Sequence, residues 1–297
     1  MSTANVSGSP EPFEIPLGDA RLAAMLHRGD ARAAVGVLIV VGGPQYRVGA
    51  HRQFLLLARR LAAAGIPCLR FDLRGMGDSS GEAVDFLTAR ADIEAAIAAF
   101  KSRCPALRGI VAWGLCDGAA AILLHVATHP DIAGLVLLNP WVRQEHTLAQ
   151  SLVRHYYWNR LRSREFWRKL LRGGVDLGRA ARGVLGALRL SRDTARGERQ
   201  AAAVPTAANF VARMATQWQA SGVPSLVLLS SEDLVAAEFR QLCANEPQWR
   251  ALVQRPQVRC TALAGADHTC SSAAFRATVE TETLAFVQAL STTRASP

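Results

Sequence analysis

Four short apolar runs, residues 35–41, 109–113, 132–138 and 225–229, are rich in Val, Ile and Leu and bounded by turn residues. None alternates with polar residues, so each predicts a strand buried on both faces, as in a parallel sheet. Helical patterns lie between them: residues 52–64, ended by Gly65 with Pro67 beyond; 86–100, followed by Pro105; 119–128, followed by Pro130; and 274–290. Strand alternating with helix implies right-handed crossovers and a doubly wound, mostly parallel α/β sheet. Residues 67–73 and 258–263 supply two more strands, and 13–25 suits a hairpin at the sheet edge. The alternation breaks once, in an arginine-rich stretch with helical periodicity and no convincing strand. The expected organisation is an α/β core over 13–140 and 222–292, a basic helical cap insertion over 141–221, a disordered tail at 1–12 and a second tail at 293–297.

Composition narrows the class. The 297 residues are 50% apolar, which excludes a disordered chain and a disulfide-stapled miniprotein. The 34 basic and 24 acidic residues give a net charge of +10, and Lys101 and Lys169 are the only lysines among them. Residues 141–200 hold 14 basic and 5 acidic residues, which leaves 20 against 19 elsewhere. The chain is thus a near-neutral body carrying one basic segment. Its six cysteines are scattered, with no Cys-x-x-Cys pair and no Cys/His cluster at zinc spacing, so no metal or other cofactor is expected and reduced thiols in a cytoplasm fit best. The first 30 residues contain Glu11, Glu14 and Asp19 and lack a basic start followed by an apolar stretch, so no secretory signal is expected. Residues 109–127 are long and apolar enough to imitate a membrane span, but Gly114 and Gly118 flank Cys116 in mid-segment and predict a strand, a sharp turn and a helix instead.

Candidate chemistry collects at the carboxyl ends of the strands, where open α/β sheets place their sites. The run Trp113-Gly114-Leu115-Cys116-Asp117-Gly118-Ala119 leads from strand directly into helix. A nucleophile on such a strained turn needs small residues two before and two after it, and Gly114 and Gly118 meet that demand. Cys116 would sit at a helix N-terminus, where the dipole favours the reactive thiolate. Its base and the orienting acid should come from later loops. Leu263-Ala264-Gly265-Ala266-Asp267-His268 presents His268 just before the last helix, and Ser230-Ser231-Glu232-Asp233 presents a carboxylate. Asp233 is favoured over Glu232 for its shorter side chain and later position, and residue 139, the other place for an acid, is an asparagine. An oxyanion needs two backbone N–H donors: one from Asp117, the other from Gly43 or Gln45, because Pro44 between them has none.

Nucleophile, acid and histidine follow one another in the order of the α/β-hydrolases, which the chain resembles over about 13–140 and 222–292. Phe71-Asp72-Leu73-Arg74-Gly75-Met76-Gly77-Asp78-Ser79 is similar to a structural turn of that superfamily. Within it, Gly42 to His51, Trp113 to Asp117, Asn139 to Arg143 and Arg164 to Lys169 resemble the exosortase A system-associated hydrolases, type 1. This resemblance implies a bacterial cytoplasmic hydrolase linked to exopolysaccharide and protein-sorting gene clusters. Tyr46, Arg47, Trp141 and Arg143, in the matching motifs, are candidate substrate contacts. Two departures from the superfamily stand out: cysteine replaces the usual serine, and Gly42-Gly43 replaces the usual His-Gly of the oxyanion loop.

Three functions compete. The first is a hydrolase with a Cys116, His268 and Asp233 triad that cleaves an ester, thioester or lactone through an acyl-enzyme. The second is an acyltransferase on the same thiol. The third is a non-catalytic protein that grips nucleic acid or an anionic membrane surface through the basic segment, whose Trp158, Trp167, Tyr156 and Tyr157 interleave with arginines. No nucleic-acid-binding motif accompanies the charge, so an amphipathic cap facing a small or carrier-linked, anionic acyl substrate is favoured; nucleic acid is not expected, and peripheral membrane contact stays open.

Overall fold

The computed structural model describes residues 9–43, 45–143 and 204–295. Residues 1–8 of the expected tail and residues 144–203 of the expected cap lie outside the described residues. The chain divides into two units, Met1–Val142 with Ala212–Pro297, and Arg143–Val211.

The first unit is built on an eight-stranded sheet. Its strands are β1 (Glu11–Leu17), β2 (Ala20–His27), β3 (Val35–Val40), β4 (Cys68–Phe71), β5 (Gly109–Leu115), β6 (Ile132–Leu138), β7 (Ser225–Ser230) and β8 (Val258–Leu263), in the order β1-β2-β4-β3-β5-β6-β7-β8. The hairpin β1–β2 joins β4 antiparallel, and all pairings from β4 to β8 are parallel. Every residue of β3, β5, β6 and β7 is buried, the doubly covered condition that their unbroken apolar runs predicted; edge strand β8 is largely exposed.

Helices α1 (Gln53–Ala63), α2 (Arg90–Arg103), α3 (Asp117–His125), α4 (Phe210–Ser221), α5 (Leu234–Asn245), α6 (Pro247–Val253) and α7 (Ala273–Ala295), with a short 3-10 turn at Ala50–Arg52, complete the described elements. α1 packs with α7, and α2 with α3. Trp113 of β5 anchors the first pair: its ring meets Phe54 of α1 edge-on at 5.5 Å, and its indole N–H donates to Thr283 of α7 at 3.2 Å. On the other face Gly36 leaves room for Phe100 of α2, whose ring atom would lie 2.7 Å from an added Cβ.

Two boundaries differ from the sequence pattern. The helix expected from residue 86 begins at Arg90, because Asp85 Oδ1 first accepts from the N–H groups of Leu87 and Thr88 and from the Thr88 hydroxyl, closing a separate turn. The span between β7 and β8, for which no helix was predicted, holds α5 and α6. The apolar stretch 109–127 is divided into β5, Cys116 and α3, and among the described residues no helix is long and apolar enough to cross a membrane.

Candidate active site

Cys116 occupies the single residue between β5 and α3, with φ 58° and ψ −121°. A side chain in that backbone region carries strain on the order of 1–3 kcal/mol, held here by the surrounding hydrogen bonds. The Cys116 N–H donates to the Leu138 carbonyl at 2.9 Å, and its own carbonyl accepts from Ala120 at 3.1 Å and Trp141 at 3.2 Å. The flanking glycines are required by contact rather than by flexibility. A Cβ on Gly114 would lie 2.6 Å from the Gly118 carbonyl carbon, and one on Gly118 would lie 2.5 Å from the Val40 oxygen.

Two loops bring the remaining groups to this turn. Asp233 caps α5, accepting from the N–H groups of Val235 at 3.2 Å and Ala236 at 3.1 Å, and its Oδ2 lies 2.9 Å from His268 Nδ1. Burial alone would raise the Asp233 carboxyl, but the hydrogen bond from His268 and its charge, with the two amides, hold it below the ordinary range. Glu232 turns instead to the Ser231 hydroxyl at 3.1 Å. The Cys116 thiol is within hydrogen-bonding reach of His268, and with Nδ1 taken by Asp233 the nitrogen left for it is Nε2. The hydrogen bonds to Asp233 and then to Cys116 outweigh burial and raise His268 to about 10.

A residue that sequence reading passed over as merely unable to ionise holds the two loops together. Asn139 is fully buried at the end of β6, with φ 46°. Its Oδ1 accepts from the Ser230 N–H at 2.9 Å, and its Nδ2 donates to the Ser230 hydroxyl and the His268 carbonyl, both at 3.0 Å. The ends of β6 and β7 and the histidine loop thus share one amide.

The oxyanion loop lies against the Asp117 side chain. The Asp117 carboxylate accepts from the N–H of Gly118 at 3.1 Å, and the amides of Asp117 itself and Gly43 favour its charged form. Burial pushes this carboxyl up against those amides. A Cβ on Gly42 would lie 2.1 Å from Asp117 Oδ1, so the glycine pair makes room for the carboxylate. Gln45 is half-buried, and its Oε1 has no partner among the described residues.

Of the candidate substrate contacts, Arg47 is engaged elsewhere: its guanidinium pairs with buried Asp72 and with Asp78, and its N–H donates to Asp72 Oδ1 at 2.6 Å. Asp72 belongs to the turn whose Gly77 has φ 54° and would meet that carboxylate with any Cβ, so the turn ties down the oxyanion loop through Arg47. Tyr46 is 42% exposed and lies under the Arg47 guanidinium at 4.7 Å. Trp141 is half-buried beside Cys116 through its N–H, and Arg143 is the first residue of the second unit. The Arg47 to Asp72 link joins loops 25 residues apart, and paired motifs Gln45-Tyr46-Arg47 and Asp72-Leu73-Arg74 were its only sequence trace.

Comparison with known proteins gives the family of the chain. The chain is 29% identical over 147 residues to the quorum-quenching protein AidA of Acinetobacter baumannii (strain MDR-ZJ06), covering 47% of each chain, so the match spans about half of that relative. The fold matches the Pyrococcus furiosus esterase Pf2001 with TM-score 0.60 at 15% identity, over 94% of this chain and 92% of the other. It also matches the proline iminopeptidase of Mycobacterium smegmatis with TM-score 0.59 at 15% identity, over 96% and 100%. The family described as serine aminopeptidase, S33, matches residues 34–269, and the chain belongs to this family of α/β-hydrolases.

Proposed function

We propose that the protein hydrolyses an ester, thioester or lactone through an acyl-enzyme on Cys116, with His268 as base and then acid and Asp233 as its orienting partner. The observation that carries this reading is the array of thiol, imidazole and carboxylate at the carboxyl ends of β5, β8 and β7, with 2.9 Å between His268 Nδ1 and Asp233 Oδ2. The thiolate attacks the acyl carbon, the leaving group departs with a proton from His268, and water activated by His268 releases the acid. The family usually carries serine here. A thiol favours activated acyl donors over amides, since thiolate is expelled from the tetrahedral intermediate more readily than an unprotonated amine.

The relative described as quorum-quenching makes the signals of that process one substrate group to screen. The resemblance to exosortase-associated hydrolases supports a second group, acylated saccharides and carrier-linked acyl donors. Mass spectrometry after incubation with small thioesters tests the reading. An acyl adduct on Cys116, absent in Cys116→Ala together with turnover, is expected; full turnover in Cys116→Ala would exclude the thiol as nucleophile.

A further inference from the structure

We infer that Asp117 fills the oxyanion hole of the resting site with its own carboxylate, so that this side chain must leave before an acyl group can react, and that it thereby selects against anionic acyl groups. The inference rests on the acyl-enzyme reading above and concerns its gate.

In this fold the negative oxygen of the tetrahedral intermediate is held by the N–H of the residue after the nucleophile and by an N–H of the loop after the first core strand. Here these are the amides of Asp117 and Gly43; the Asp117 carboxylate, which accepts from the Gly118 N–H at 3.1 Å, lies close enough to both amides for them to favour its charged form. A carboxylate oxygen beside two such donors stands in for the oxyanion itself. The fit is built into the chain: Asp117 Oδ1 lies 2.1 Å from where a Cβ of Gly42 would be, and Oδ2 lies 2.9 Å from that of Gly43. A Cβ at residue 42 would also lie 2.2 Å from the Gly118 nitrogen, so Gly42 is required by the backbone turn as well as by the carboxylate. His268 attracts it across the site.

An amide N–H cannot serve the carboxylate and the developing oxyanion fully at once. When the thiolate forms its bond to the acyl carbon, the electron pair of the C=O bond moves to oxygen and needs those amides, so the Asp117 side chain must rotate out. A neutral acyl chain can wedge it aside. An acyl chain bearing its own carboxylate meets a second negative charge at the same place.

The test is the pre-steady-state rate of Cys116 acylation by a butanoyl thioester and a succinyl thioester of the same small neutral thiol, read by mass spectrometry for wild type, Asp117→Ala and Asp117→Asn. Breaking charge-assisted hydrogen bonds is costly, so Asp117→Ala should acylate about tenfold faster with the butanoyl donor. Asp117→Asn, which keeps a weaker acceptor of the same shape, should gain about threefold and carries the test alone if the alanine variant does not fold. The butanoyl to succinyl rate ratio should drop about fivefold or more in either variant. Equal or slower acylation in folded variants overturns the gate, and an unchanged ratio overturns the selectivity. Absence of any adduct on Cys116 in all proteins would instead overturn the acyl-enzyme reading, and the gate with it.

Discussion

At the scale of single residues, His268 shows how a site is tuned by its neighbours. Hydrogen bonding to Asp233, and then to Cys116, raises its pKa to about 10, against an ordinary value near 6.5. Removing the acceptor charge in Asp233→Asn should return the imidazole toward its ordinary value, which an NMR titration of the ring protons reads directly. It should also lower kcat by about two to four orders of magnitude. The sign for stability follows from the same shift. A folded-state pKa above the unfolded one means the pair stabilises the fold fully below about pH 6.5, and this contribution fades as pH rises through about 10. Thermal melts at pH 6 and pH 10.5 should therefore differ more for wild type than for Asp233→Asn. Cys116, Asp233 and His268 were legible because each follows an apolar run and sits in a loop at its carboxyl end. Asn139 and the Asp117 side chain were not, since their meaning lies in contacts to loops distant in sequence, Ser230 and His268 for one and Gly43 for the other.

Between residues and the whole lies the seam of strand ends that Asn139 closes. Its amide is shared by β6, β7 and the loop after β8, and both loops of the acid and the base leave from that seam. Asn139→Ala would orphan the buried Ser230 N–H, leave the Ser230 hydroxyl with only the Cys270 thiol at 3.9 Å, and leave the His268 carbonyl without this donor. An unsatisfied buried group costs about 1–3 kcal/mol, so a loss of about 2 kcal/mol or more in urea unfolding is expected. Activity should fall further than stability accounts for, because the histidine loop loses its tether; unchanged kcat in folded Asn139→Ala would leave the clamp a stability feature only. Elements were legible in proportion to how their own residues specify them. β3, β5, β6 and β7 are covered on both faces and read as unbroken apolar runs. α5 and α6 were hidden for a physical reason: α5 buries only Val235, Ala236 and Phe239, a weaker apolar face than the one that marks α1, and Pro247 starts α6 as a separate helix of 7 residues. The cap that starts α5 was in view all along as Asp233, whose carboxylate serves the helix amides and His268 together.

For the whole molecule the distribution of charge frames the remaining question. Of a net +10, residues 141–200 account for +9, so the field of this protein is the field of one segment. A concentrated charge of one sign raises the encounter rate of ions of the other, and salt screens the effect over a Debye length of about 10 Å at 0.1 M. The acyl-enzyme chemistry proposed for Cys116 and the gate proposed for Asp117 favour a neutral activated acyl chain, and from the charge of residues 141–200 we propose an anionic carrier for it, such as coenzyme A or phosphopantetheine. For such a donor kcat/KM should fall about tenfold between 0.02 M and 0.5 M salt, while an uncharged carrier with the same acyl group shows no such slope. Replacing Arg160, Arg162, Arg164 and Arg168 together by glutamine should flatten most of the slope and leave kcat near the wild-type value, because screening acts on encounter and not on the thiolate step. An unaltered slope in that variant would leave these arginines no part in the encounter and turn the search toward neutral esters and lactones.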